Sequence, residues 1–230
     1  VLDGSGNVSV VNEGHGGGKA IKVVHPAGQY YGASWFPRLS GDLGISPLED
    51  AYFRYYIKPD PNYHFRLEAK IPGLAGNTGN NYFPSGCDPV DSNQGWSGRL
   101  QWGMGPQYNN QKGRIQTYLY VGYPESNTGC GYKAEWASGA ELERGKWACI
   151  EIRYKMNTPG QRNGVMQGWF NDALKYERND ILFRNNSNIK TTILSNQFYH
   201  GGTDEWKPIQ NQYYLYDKLA ISNQRIGCES

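Results

Sequence analysis

The sequence predicts an all-β fold, a sandwich of two antiparallel sheets formed as one domain over residues 1–230. Three observations predict it. Short runs of alternating apolar and polar residues are separated by Gly, Pro and Asn clusters, and no long stretch carries helical periodicity. The 230 residues include 30 Gly and 18 Tyr, with aromatics at 14%, a composition of tight turns and pleated surfaces. The length suits a single β-sandwich with a substantial core, and there is neither an internal repeat nor a linker-like boundary.

Strands are expected at 19–24, 51–58, 64–71, 96–103, 113–122, 147–156, 164–171 and 213–221. Successive side chains on a strand point to opposite faces, so each run sorts its own residues. In 51–58, Phe53, Tyr55 and Ile57 oppose Tyr52, Arg54 and Tyr56. In 64–71, Phe65, Leu67, Ala69 and Ile71 oppose Arg66, Glu68 and Lys70. The segment 76–95 is long, polar and rich in Gly, Asn and Pro, and a loop of that length is usually functional or tied down. In 96–103, Trp96, Leu100 and Trp102 oppose Ser97, Arg99 and Gln101, and in 113–122, Ile115, Leu119 and Val121 oppose Gln116, Tyr118 and Tyr120. The polar faces of these four strands, if adjacent, make one basic, tyrosine-rich surface. Run 147–156 differs, because Glu151, Arg153 and Lys155 mix signs as an ordinary solvated face does. Asn157 to Gly164 reads as a turn before the next strand.

The formal charge of +2 argues against a nucleic-acid binder, which would be strongly basic. No run of 18 apolar residues offers a membrane span. Four cysteines without CxxC spacing read as two disulfides rather than a zinc site. With the sequons at Asn7 and Asn185 they point to a secreted, extracellular protein, expected to act as a monomer. With no HxH or HExxH pattern, catalytic zinc is not expected. No cofactor is required; Asp3, Glu13 and Asp217 are candidate ligands for a structural Ca²⁺, with ordinary surface acids as the alternative.

The tyrosine-rich face holds what β-elimination on a uronate needs. A cation must neutralise the C6 carboxylate, so that removing the C5 proton leaves a stabilised anion. One group must take that proton and one must return a proton to O4. Arg99 and Lys70 supply charge, and Tyr118 and Tyr120 supply proton transfer. Ser97, Gln101, Arg66, Gln116, Arg54, Tyr56 and His200 are candidate substrate contacts. Glu68 has no acidic partner on neighbouring strands, so a paired-carboxylate glycosidase is disfavoured, and Glu68 is expected to hold Lys70 or Arg66. The other reading is a non-catalytic, lectin-like sandwich whose aromatic residues stack on sugars; that reading has no use for clustered cations.

The chain resembles the family-14 alginate lyases and the related glucuronan lyases. The resemblance lies in Lys70-Ile71-Pro72-Gly73-Leu74, Ser97-Gly98-Arg99-Leu100-Gln101-Trp102, Tyr118-Leu119-Tyr120 and Gly145-Lys146-Trp147. It continues through Asn157-Thr158-Pro159-Gly160, Asn163-Gly164 and Gly201-Gly202-Thr203, and so covers about residues 30–222 in order. It implies a jelly-roll sandwich with a concave cleft lined by Lys70, Ser97, Arg99, Tyr118 and Tyr120, acting on a β-1,4-linked uronan. The longer segment between Trp102 and Tyr118, and an insertion around Cys130, depart from that pattern. Cys87 and Cys130 fall in loops flanking the cleft strands, so pairings Cys87–Cys130 and Cys149–Cys228 are expected, although sequence leaves all three connectivities open.

Overall fold

The structure is a computed structural model that describes residues 4–122 and 130–229. Its strands are β1 Val8–Val11, β2 Ala20–His25, β3 Tyr31–Trp35, β4 Asp50–Pro59, β5 Ala69–Asn77, β6 Gly95–Gly103 and β7 Lys112–Tyr120. They continue as β8 Tyr132–Glu135, β9 Glu141–Glu143, β10 Ala148–Lys155, β11 Gly164–Phe170, β12 Ala173–Ile181, β13 Ile193–Tyr199 and β14 Gln212–Ser222. One sheet has the order β1-β2-β14-β4-β10-β11-β12. The other runs β3-β13-β5-β6-β7-β8, with β9 also pairing β7. All pairs are antiparallel, and the two sheets stack as a jelly-roll sandwich.

The core lies between the sheets and is built from the apolar side of each alternating run. Phe53, Tyr55 and Ile57 come from β4, Leu100 and Trp102 from β6, Ile115 and Leu119 from β7, and Ile150 and Ile152 from β10; all are fully buried. Each such side chain contributes about 1.5–3 kcal/mol relative to exposure. Several buried hydroxyl and indole groups are paired within this layer: Trp102 Nε1 donates to Tyr214 at 2.5 Å and Tyr216 donates to Asn196 at 2.7 Å, whereas the Trp96 indole N–H has no partner among the described residues.

Two departures from expectation bear on the site. The strand expected at 64–71 begins at Ala69 and runs to Asn77. Before it, the main-chain N–H groups of His64 and Phe65 bond to Gln212 and to Asn110 of a neighbouring loop instead of joining the ladder. More consequentially, β4 lies in the other sheet, between β14 and β10. Of the four strands expected to share one polar surface, three do, β5-β6-β7, and Arg54 and Tyr56 do not belong to it.

Both expected disulfides are present, Cys87–Cys130 and Cys149–Cys228. The first ties the long 76–95 loop to the segment entering β8. The second fastens the C-terminal tail to β10. No helix among the described residues is long and apolar enough to cross a membrane.

Candidate active site

The motif residues have local structural reasons. Pro72 and Gly73 interrupt the β5–β6 ladder with a register shift between Ile71 and Leu74. This is a bulge, where Pro and Gly are tolerated inside a sheet. A Cβ on Gly73 would lie 2.1 Å from the Gly98 carbonyl oxygen, so only glycine lets these backbones approach. Between Ser97 and Arg99, Gly98 points to the core, where the Tyr154 ring fills the space that its Cβ would need; the Tyr154 hydroxyl donates to the Gly98 carbonyl at 3.0 Å. Ser97 and Arg99 are thereby held on the opposite, concave face. Gly201 makes room for Lys70, whose Nζ would sit 2.5 Å from a Cβ there.

Register completes the assembly. Arg99 lies opposite Tyr118 and Ser97 opposite Tyr120 across β6–β7, while Lys70 lies opposite Gln101 across β5–β6. The result is a cleft of about 490 Å³, lined by Glu68, Lys70, Arg99, Gln101, Tyr118, Tyr120, Lys133, Gln197 and Tyr199, with Cys87 and Cys130 on one wall and Gly201, Gly202 and Trp206 on another.

Its chemistry centres on two tyrosines and two unpaired cations. The Tyr118 and Tyr120 hydroxyls are 2.8 Å apart. Burial first, then the hydrogen bond to Tyr120, pushes the Tyr118 phenol well above its ordinary range, with Arg99 opposing. Tyr118 therefore keeps its proton, and either hydroxyl can donate to the other. The Tyr120 oxygen also accepts the Cys87 main-chain N–H at 3.2 Å. Arg99 is 1% exposed, with its guanidinium 4.9 Å from the Tyr118 ring and 5.1 Å from the Tyr120 ring. Its Nη1 donates to Gln197 at 2.6 Å. Its Nε and Nη2 are buried without a hydrogen-bond partner among the described residues. Burial, then the charges of Arg99 and Lys133, lowers Lys70 to about 8, and Glu68 opposes that shift. Neither Lys70 nor Arg99 has a carboxylate within ion-pairing distance among the described residues.

The other sequence-chosen residues divide. Gln101 lines the cleft and donates to Gln116 at 2.7 Å; Gln116 lines the adjoining hollow near Trp206. Ser97 is fully buried, and its hydroxyl donates to the Pro84 carbonyl at 2.7 Å, pinning the 76–95 loop over the sheet. Arg66 donates to the Lys207 carbonyl at 3.3 Å and does not line the cleft. Arg54 pairs with Glu229 at 2.9 Å, and Tyr56 bonds the Glu229 main chain, both under the C-terminal tail on the far side of the molecule. His200 is also misplaced by the sequence reading. It lies between the sheets, its Nε2 3.3 Å from the Tyr63 hydroxyl and its ring 4.8 Å from His25. Burial and His25 hold it well below the ordinary imidazole range, hence neutral.

Glu68 holds neither Lys70 nor Arg66; it pairs with Lys133 at 2.5 Å. Lys133, Gln197 and Tyr199 were missed. Lys133 follows the insertion around Cys130, where no periodicity signals a strand. The run Ile193 to Tyr199 alternates, with Leu194, Asn196 and Phe198 toward the core, but inward Asn196 blurs the apolar face. Leu194 and Phe198 were the available signal.

Among the described residues no group of three or more His, Cys, Asp or Glu could hold a metal ion. Asp3 lies outside the described residues. The Asp217 carboxylate accepts main-chain N–H bonds from His15 and Lys218.

Comparison with known proteins gives a consistent result. The family described as Polysaccharide lyase 14 matches residues 14–219, and the chain belongs to that family. A curated relative, Exolysin of Paramecium bursaria Chlorella virus 1, is 28% identical over 215 residues, 85% of this chain. The chain spans about a third (32%) of that relative's length. Among solved structures, the marine PL-14 alginate lyase from Aplysia kurodai superposes with a TM-score of 0.77 at 18% identity, covering 95% of this chain and 88% of that one. An alginate lyase from Chlorella virus gives 0.72 at 17% identity, covering 93% and 88%. An endo-β-1,4-glucuronan lyase from the fungus Trichoderma reesei gives 0.58 at 15%, covering 93% and 85%. At these identities the structures establish a shared fold.

Proposed function

We propose that this member of the polysaccharide lyase 14 family is a single-domain, extracellular lyase that cuts a β-1,4-linked uronan, mannuronate-rich alginate or glucuronan, by β-elimination. The observation that carries the reading is the pair of cations, buried Arg99 and half-buried Lys70, with no carboxylate in ion-pairing distance among the described residues, facing a hydrogen-bonded tyrosine pair. A buried unpaired charge costs stability. Its retention is accounted for if the missing counter-ion is the substrate. The activities named for the structural relatives support the same class, and the two disulfides suit an oxidising compartment.

The steps follow from the side chains. Arg99 and Lys70 bind the uronate carboxylate, Arg99 through its fork of donors. Their charge stabilises the anion formed as the C5 proton leaves. Tyr120, acting as its phenolate beside the Arg99 guanidinium, takes that proton. The C5 electrons form the C4–C5 double bond as the C4–O4 bond breaks, and Tyr120 returns the proton to O4. Mannuronate and glucuronate both set the C5 hydrogen and O4 on one side of the ring, so a single tyrosine can serve both transfers. Tyr118 orients Tyr120, and Gln197 orients Arg99.

The test is incubation of the purified protein with polymannuronate, polyguluronate and polyglucuronate, following ultraviolet absorbance of the unsaturated product and sizing the fragments. Absorbance should rise on at least one. No rise on any, with retained binding, would leave a sugar-binding sandwich as the better reading.

A further inference from the structure

The concave face does not end at the tyrosines. Toward the far end of β5, register sets Ala75 opposite Ser97 and Asn77 opposite Gly95, and Ile193 opposite Ala75. Asn77 and Ile193 therefore share the face that carries Arg99. Phe83, from the long loop, stands between the two parts: the Arg99 guanidinium lies 5.5 Å from its ring, and the Phe36 ring is 5.1 Å from it. Past Phe83 is a hollow of about 230 Å³ lined by Phe36, Arg38, Asn77, Asn81, Phe83 and Ile193. Arg38 and Asn77 also border the next hollow, of about 420 Å³, which adds Lys190.

Two features of this extension call for an anionic sugar. Phe36 is 41% exposed within a concavity, and a flat ring there suits the apolar face of a pyranose. Arg38 is held in place without being neutralised. Its Nη2 donates to the Asn80 carbonyl at 3.2 Å and to Asn81 Oδ1 at 3.1 Å. The nearby Asp42 accepts the Arg38 main-chain N–H and makes no ion pair with the guanidinium. A guanidinium oriented by neutral acceptors is preorganised for a carboxylate. The opposite end of the cleft is unlike this one: the hollow beside Trp206 is lined by Glu68 and Glu135 with Gln107 and Gln116.

We propose that Phe36, Phe83 and Arg38 form a second uronate station, which grips the same polymer some residues away from the cut and on the Arg38 side only. The proposal rests on the uronan-lyase reading and adds chain-length dependence to it. Arg38→Ala should raise KM for polymer roughly tenfold or more, the usual scale of a hydrogen bond to a charged group, with kcat unchanged. For the shortest oligomer that the enzyme cuts, KM should not move. Arg38→Lys should restore part of the loss, and Phe36→Ala should reproduce the length-dependent effect without touching a charge. Melting temperatures of all three should match the parent. Equal KM on polymer for the parent and both alanine variants would overturn the station, as would an equal loss on short and long substrates. Absence of unsaturated product from the parent itself would instead overturn the lyase reading.

Discussion

Two polar faces of this molecule look alike as sequence and differ as chemistry. The face of β4 and β10 carries Arg54, Tyr56, Arg153 and Glu151. The face of β5, β6 and β7 carries Lys70, Arg99, Tyr118 and Tyr120. On the first, the arginines have carboxylate partners: Arg54 meets Glu229 at 2.9 Å and Arg153 grips Asp50 through Nε at 2.8 Å and Nη2 at 2.6 Å. The buried Glu151 accepts the main-chain N–H groups of Ile226 and Gly227. On the second, buried Arg99 and half-buried Lys70 lie beside aromatic rings and a glutamine, and the one cleft carboxylate among the described residues, Glu68, pairs with Lys133 instead. Abundance of charge therefore says little about a site; the absence of a counter-ion within reach is the informative feature.

The contrast is tested most severely at the tyrosine pair. Tyr120→Phe keeps the ring and removes the hydroxyl, and turnover should fall by ~10²–10⁴-fold, the range of proton-transfer catalysis. Binding of uronan oligomers and the melting temperature should stay near the parent values. Tyr118→Phe should slow turnover less. Normal rates in both variants would remove the tyrosine mechanism altogether.

Next in size is Arg99→Lys. It preserves charge but loses the fork, and should reduce kcat by about 10²–10³-fold, as for loss of a preorganised donor, without unfolding the protein. Near-normal turnover would show that Arg99 is not the carboxylate clamp.

Lys70 gives an effect of opposite sign on activity and stability. Folded, it loses its proton near 8 rather than at the ordinary 10.5. KM for uronan should therefore rise as pH passes through about 8, and this rise should be muted in Lys70→Arg. Between about 8 and 10.5 the unfolded state binds the extra proton, so this residue penalises folding fully below pH 8, and the penalty fades as pH climbs. Lys70→Met should thus lose activity yet melt a few degrees higher at pH 7, corresponding to about 1–3 kcal/mol. A lower melting temperature would mean that Lys70 is paired after all.

The smallest effect should come from the other face. Arg54→Gln should leave kcat and KM unchanged, because Arg54 pairs with Glu229 under the C-terminal tail and does not line the cleft. A large loss of turnover would break the comparison.

Much of this was legible before the structure, because alternation is a local property. A period of two assigns inward and outward residues from the strand alone. Phe53, Ile115 and Ile150 fell correctly into the core, and Lys70, Arg99 and Tyr118 correctly onto a polar side. The cysteine positions likewise suggested pairings that the structure contains. What local pattern does not contain is which strands are neighbours. Arg54 and Tyr56 alternate as cleanly as Arg99 and Tyr118, yet chain order does not reveal that β4 pairs with β10 and β14 while β5 pairs with β6 and β13. Lys133 and Gln197 reach the cleft only through such long-range pairing, from strands whose own periodicity is short or blurred. His200, beside a glycine pair in the sequence, is placed in the core by its contacts with His25, Tyr63 and Trp102. The sequence by itself thus determined the all-β class, the two sides of most strands and the residue types available for elimination, since propensity and alternation act within a few residues. Only the tertiary structure decided which polar side became a cleft and which cations were left unpaired, since both depend on strand order and on how the tail and loops cover each sheet.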